Sequence, residues 1–582
     1  MRKRLHNSPS VPAGFTLVEM LVATALVLLI MLLFASIYGA AVGTITEQRG
    51  LANVDSKART VDSIIRRDLE KMTFRQLTTA GTKGIVPLAP GDEVDPRQLG
   101  FMYISENDPD DPTDDTIHFT IYVGSSHRNA DNTPLSGKAI SLGGSNNEPD
   151  RDDGVAGNAS GMSPYAEVIY FLRGGNLYRR ELLIRNPLEA PLGQSDYSSQ
   201  PTTTPAPPGT RVPFWHAGNP NYAGGSFYND FDYAATRVAD GAGGSYLQFL
   251  GPESLNNSAG RSVYPLAAPR YRFGFIPTDV NNPLNLLGNP VEYDLATPIP
   301  NYIGTFAQAE TSHAAFLYPG QAVDPRAGGG FTLNVDSLLT DFTSGGPGPR
   351  QGADLLLQDV SQFDIEVWDA GFIEGDANGN GTIDIPGVDD LNGNGIRDQG
   401  AWVDLGHDES NSGTTMLSIG NFHINNRTNA AFGPRTPIEN RVFDTWHPDI
   451  GVQPPFRPYL QSPPTTLPLT PAPPVRVDWS AGQAVNVGDY IFPDYVDSAT
   501  LNDDNFAFVY RCVQGGVTSF KEPEWPRQHG AIVRENANTA QEVVWQCFDN
   551  RVGLETIRIT IRYRDIRSKI ERQLTLYHSF VE

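Results

Sequence analysis

Along the first fifty residues the polar and apolar positions separate into blocks. Arg2, Lys3 and Arg4 open the chain, a mostly uncharged stretch follows, and from Met20 through Thr46 there is no charged residue at all. That run exceeds the ~20 residues a helix needs to cross a hydrocarbon core, and it predicts a membrane span of about residues 15–46. The basic leader keeps its own side cytoplasmic by the positive-inside rule and sends the rest of the chain across. A secretory signal ending near Ala40, Ala41 and Gly43 is the other reading of the same stretch.

Past Glu47 the pattern becomes helical. Leu51, Val54, Ala58, Val61, Ile65, Leu69 and Met72 recur at steps of three and four, the spacing of one helix face. Together with the apolar run they predict a helix over 15–80. Asp55, Lys57, Arg59, Asp62, Arg66, Arg67, Glu70 and Lys71 fall on the other faces and read as solvated surface. No proline interrupts the run, so no sharp kink is expected at Ser36, Gly39 or Gly43.

After Gly81 short alternating runs replace the helix, bounded by Gly, Pro, Asn and Asp. The clearest strands are TIHFTIYV, the hairpin AEVIYFLRGGNLYRRELLI turning at Gly174 and Gly175, YLQFL, LLLQDVSQFDIEVWDA, and the pair LETIRITIRYRD and KIERQLTLYHSF. In that last pair Ile557, Ile559, Ile561 and Tyr563 share one face. The predicted class is α+β: a long N-terminal membrane-spanning helix packed on an antiparallel β-sheet head.

Composition adds long connections to this picture. The chain holds 57 glycines and 46 prolines in 582 residues, and the stretch from Asn186 to Gly352, with PTTTPAPPG within it, reads as loop or extended polyproline conformation. The formal charge is −24, and beyond the first residues no basic cluster can neutralise a line of phosphates, so no nucleic-acid partner is expected. GxSxG, Walker, HExxH and CxxC motifs are all missing from the sequence, and its ten histidines are scattered, which gives no reason to expect an enzyme. The two cysteines, Cys512 and Cys547, each end a strand-like stretch. If they pair, the loop closed between them contributes roughly 4 kcal/mol in an oxidising compartment; otherwise they are two reduced core thiols.

One charge stands at the start of the apolar run. Glu19 would cost roughly a few kcal/mol inside a bilayer without a partner, so it has either an amine partner or a position at the interface where it snorkels. Its setting, Gly14-Phe15-Thr16-Leu17-Val18-Glu19 behind a basic leader and ahead of a long apolar helix, resembles the N-terminal signal of type IV pilins and type II secretion pseudopilins. The resemblance implies cleavage after Gly14 by a prepilin peptidase, methylation of the new Phe15 amine, and retention of the helix in the inner membrane with the bulk periplasmic or extracellular. It also implies that Glu19 pairs with the N-terminal amine of a neighbouring pilin or pseudopilin subunit as a filament assembles. The order of the later strands is similar to J-type minor pseudopilins and W-type minor pilins, which are usually far shorter.

Two insertions carry further chemistry. In GDANGNGTIDIPGVDDLNGNGIRDQG two copies of Asp-x-Asn-x-Asn-Gly-x-x-Asp stand in tandem. Such spacing wraps alternate oxygens round a calcium ion, with the glycine making the tight turn. The first copy would use Asp376, Asn378, Asn380, the Thr382 carbonyl and Asp384. The second would use Asp390, Asn392, Asn394, the Ile396 carbonyl and Asp398. These loops resemble EF-hand-like and dockerin-like repeats, but Gly387 and Ala401 stand where a bidentate glutamate would, leaving Asp389, Asp404 or water to supply the missing oxygens. The alternative is a pair of Asn-Gly turns.

The second insertion, 475–548, resembles a small β module of phage tail and surface proteins through Gly488, Asp489, Tyr510, Cys512, Gly515, Glu522, Pro523, Trp525, Pro526, Gly530 and Trp545. Its tryptophans can stack on a sugar or form its core. The expected organisation is a leader (1–14), a helix (15–80), a β-rich head (81–370), the calcium-loop insertion (371–404), the β module (475–548) and a C-terminal hairpin (549–582).

Overall fold

The computed structural model describes residues 14, 16–75, 84–87, 98–106, 109, 111–125, 133–141, 149–173, 175–186, 215–216, 231–239, 245–251, 266, 272, 354–374, 399–407, 418–419, 421–422, 442–445, 476–477, 479–491, 508–549, 551–564 and 571–581. Over these the protein is α+β: one long helix, Leu17–Glu70, followed by mostly antiparallel sheets. Its first 29 residues, Leu17–Ile45, are long and apolar enough to cross a membrane, and their large side chains are exposed. This is a membrane anchor or signal sequence with the β-rich bulk after it. Residues 1–60 with 564–572 form one compact unit, and 61–563 with 573–582 form the other.

In the second unit the end of the helix is buried along the predicted stripe: Val61, Ile65 and Leu69 are each at most 2% exposed, and Met72 follows them into the core. The helix stops at Glu70 rather than reaching 80, because at Met72 and Phe74 the chain turns extended and forms antiparallel bridges to Ile121 and Gln98. Lys71, expected in solvent, is buried, since it lies in that turn. Asp68 faces inward as well, accepting hydrogen bonds from the Tyr170 hydroxyl at 2.6 Å and from Arg179 Nε at 2.6 Å. That buried ion pair fixes the helix end on the sheet, at a desolvation cost that only such complete pairing offsets.

The first sheet runs Leu355–Gln358, Asn176–Ile184, Tyr165–Arg173, Thr116–Tyr122, Met102–Ser105, Val442–Asp444, each strand antiparallel to its neighbour. Its centre is the predicted hairpin, closed from Arg173 to Asn176 with Gly175 at φ 73°. The second sheet runs Gln399–Val403, Val360–Glu374, Thr556–Arg564, Glu571–Ser579, with Ser418–Ile419 also on Val360–Glu374. Ile557, Ile559 and Ile561 are at most 1% exposed and lie opposite Val367, Ile365 and Phe363. Each such side chain contributes about 1.5–3 kcal/mol on burial.

LLLQDVSQFDIEVWDA is two strands rather than one. Asp359, at φ 55°, turns the chain between Leu355–Gln358 of the first sheet and Val360–Glu374 of the second. Aspartate tolerates this left-handed conformation better than most residues do. A third sheet, Arg476–Val477, Tyr490–Ile491, Phe508–Gln514, Val543–Asp549, Ile532–Glu535, builds the C-terminal module; only its first pair is parallel.

Candidate functional site

The first sheet carries a feature that local spacing does not announce. Met102–Ser105 and Thr116–Tyr122 are joined by a loop, and the last pair of their register is Ser105 with Thr116. The next step along both strands brings Glu106 opposite Asp115. Like charges directly opposite on an antiparallel pair repel. The loop packs against the second sheet: Phe363 N donates to the Pro112 carbonyl at 2.9 Å, and Ile365 N donates to an Asp115 carboxylate oxygen. Glu106, Asp114 and Asp115 are therefore 4%, 5% and 1% exposed. One carboxylate oxygen from each lies within 4.8 Å of the others.

Electrostatics follow from this crowding. Burial, then the charge of Asp115, a hydrogen bond shared with it, and the charges of Asp114 and Asp404 hold the Glu106 carboxyl well above the usual carboxylate range. Asp115 is raised for the same first reason, against the hydrogen bond from Glu106, with Asp364, Asp114 and Asp404 adding to the rise. Burial and Glu366 push Asp364 up to about 6, while Gln362, Arg558 and Asp404 pull it down. No cation is among the groups acting most strongly on Glu106 or Asp115. Among the described residues, nothing donates a hydrogen bond to Glu106 Oε1 or Asp115 Oδ1. Buried carboxylates of this kind need a proton or a cation, and the all-oxygen donor set suits a hard divalent ion. The triad can hold a metal.

In sequence the stretch ENDPDDPTDD is an acidic turn. Its only signal was the density of aspartate; the approach of Asp364 and Asp404 depends on pairing between distant strands. The ten residues of the tandem loops, Asp376 to Asp384 and Asp390 to Asp398, lie outside the described residues, as does Phe15.

At the membrane helix, Thr16 and Glu19 form a capping box. Thr16 N and Oγ1 donate to Glu19 Oε2 at 2.8 and 2.9 Å, and Glu19 N donates back to Thr16 Oγ1 at 3.3 Å. The Thr-x-x-Glu spacing was visible in the sequence and satisfies amide groups a helix start leaves open. Gly14 precedes this turn and is exposed.

In the module, Cys512 and Cys547 are buried thiols, unbonded in this structure. Cys512 lies opposite Trp545, and Cys547 opposite Tyr510, which makes the cysteines diagonal neighbours on one face. Diagonal Cα atoms are about 7–8 Å apart, beyond the usual reach of a disulfide. Burial pushes both thiols up to about 11. The disulfide stays an expectation for thiol counting to decide. Trp525 packs 4.6 Å from Tyr510 and 6.0 Å from Trp545 by ring centroids, on the edge of the module's core.

Comparison of the chain with protein-family models, with curated proteins and with solved structures gives no match. The pilin-like layout, a long apolar helix leading into antiparallel sheets, thus stands on the residues themselves.

Proposed function

We propose that the chain is a non-enzymatic minor pseudopilin or pilin subunit. A prepilin peptidase cuts it after Gly14, and it then joins other subunits of a type II secretion or type IV pilus filament through Phe15, Glu19 and the apolar helix. It sits in the inner membrane as a single-pass protein with its bulk periplasmic or extracellular. The observation that carries this reading is the placement of Glu19: a carboxylate in the first turn of a 29-residue apolar span, held by Thr16. One Glu19 oxygen is engaged by Thr16, and a carboxylate accepts at both oxygens, so the other can meet a neighbour's amine. Calcium as a structural ion belongs to the same reading, since extracytoplasmic modules bind it at about 0.1–1 mM.

The N-terminal mass of the protein from its own membranes, wild type beside Gly14→Ala, tests the proposal. A mature chain beginning at N-methylated Phe15, absent from the variant, supports it. A wild-type chain still beginning at Met1 overturns it and leaves a non-polymerising anchor. A glycan- or partner-binding role for the β module gains no support from Trp525, whose ring packs on Tyr510 and Trp545 and whose Nε1 donates to Glu522 at 2.9 Å.

A further inference from the structure

We infer that Glu106, Asp114 and Asp115 form a calcium site, beside which Asp364 and Asp404 add negative charge, and that it ties the first sheet to the second. Opposite oxygens round a calcium ion are about 5 Å apart, given bonds of 2.3–2.6 Å. The triad's oxygens, all within 4.8 Å of one another, are close enough for one ion to bridge them. Three ligands come from the two ends of one loop in the first sheet. Asp364 lies in Val360–Glu374, and Asp404 directly follows Gln399–Val403, both in the second sheet. Those strands lead into and out of the tandem-loop insertion, so the ion holds the base from which it departs.

Protons alone satisfy this cluster less well. A proton shared between Glu106 and Asp115 fills only the contact between those two. A cation meets an oxygen from each of the three residues and offsets the like charges at once. Thiolate and imidazole ligands, which would draw zinc or copper, are not part of the triad. None of the three triad residues belongs to the tandem-loop ligand sets, and the inference does not depend on the pilin reading.

The test is equilibrium dialysis of the detergent-solubilised full chain against radioactive calcium at a few millimolar, after chelator treatment. The comparison is between wild type, Glu106→Gln with Asp115→Asn, and the loop variant Asp376→Asn with Asp390→Asn. The expected result is one calcium per chain lost from the triad variant and one still bound by the loop variant. Equal calcium in wild type and triad variant overturns the inference. So does a loop variant that binds none, an outcome read without asking whether the triad variant folds.

Discussion

Two buried glutamates in this chain face opposite conditions. Glu535, 2% exposed in the C-terminal module, is surrounded by donors: Trp545 Nε1 at 2.6 Å, Trp479 Nε1 at 3.2 Å, and Ser519 N and Oγ, both at 2.9 Å. Glu106, 4% exposed in the first sheet, is surrounded by Asp114, Asp115 and Asp404. Each has lost its water. One has recovered hydrogen bonds in its place, and the other has gained more negative charge. Burial therefore says little about a carboxylate until its neighbours are named: Glu535 is a structural hub whose requirements are met within the protein, whereas Glu106 needs something brought from outside.

The largest expected effect falls on the satisfied side. Glu535→Ala strands two indole N–H groups and the amide of Ser519, and hydrogen bonds to a charged group contribute 1.5–3 kcal/mol each, so the module should lose at least about 4 kcal/mol. Tryptophan fluorescence during denaturant unfolding reads this directly, since Trp479, Trp525 and Trp545 all lie in or against the module core. A loss under about 1 kcal/mol would mean the donors find water instead and would dissolve the contrast with Glu106.

A cationic counterpart to Glu106 sharpens the comparison next. His578 packs edge-on against Phe580 at 4.8 Å, and burial followed by the charges of Arg75 and Arg66 lowers it from 6.5 to about 4. Above pH 6.5 the ring is neutral in both folded and unfolded chains. Between pH 6.5 and about 4 the unfolded chain takes up the proton and the folded chain does not, so stability falls as pH falls. At ~1.4 kcal/mol per pKa unit the loss approaches about 3 kcal/mol. His578→Gln should flatten the stability profile over that window relative to wild type; an unchanged slope would show that neither burial nor the like-charged arginines hold the folded ring neutral there.

The stripe on the helix, the hairpin at Gly175 and the isoleucine face of Thr556–Arg564 were legible in the sequence because each depends on contacts that repeat along a single element. Val61, Ile65 and Leu69 are buried as their spacing required, and Ile557, Ile559 and Ile561 alternate inward as a strand must. The break at Asp359 was not legible, because a continuous apolar pattern is equally consistent with one strand or two that join different sheets. Neither buried glutamate was legible either. Glu535 lies 56 positions from Trp479, and Asp115 is 250 positions from Ile365, so only the completed fold brings these groups together. Spacing did point to calcium, but at the tandem loops, where local sequence supplies most of a ligand set. A cluster buried only by the packing of distant segments leaves no such pattern.

Calcium removal is the next smaller effect. If the triad binds the ion, free calcium at 100 times Kd should stabilise the chain by about 2.7 kcal/mol over the chelated protein. Guanidinium unfolding in calcium and in chelator measures the difference, and Glu106→Gln with Asp115→Asn should abolish most of it. A calcium effect that survives in that variant and disappears in Asp376→Asn with Asp390→Asn would move the stabilising ion to the tandem loops.

The smallest expected effect is the one that separates the two glutamates by sign. Replacing a carboxylate by its amide keeps the shape and removes the charge. In chelator, Glu106→Gln puts a permanently neutral N–H donor where a buried carboxyl must otherwise take up a proton, so stability should rise by about 1 kcal/mol. Glu535→Gln gives up charge-assisted hydrogen bonds from two indoles and an amide, and turns an acceptor-only group into one with its own donors to satisfy, so stability should fall under identical conditions. Opposite signs from the same substitution at two equally buried positions would show that the neighbours, and not the burial, decide what a carboxylate does. A loss at both would mean that the Glu106 cluster is held by its shared protons, and that calcium, where bound, adds to a network already complete.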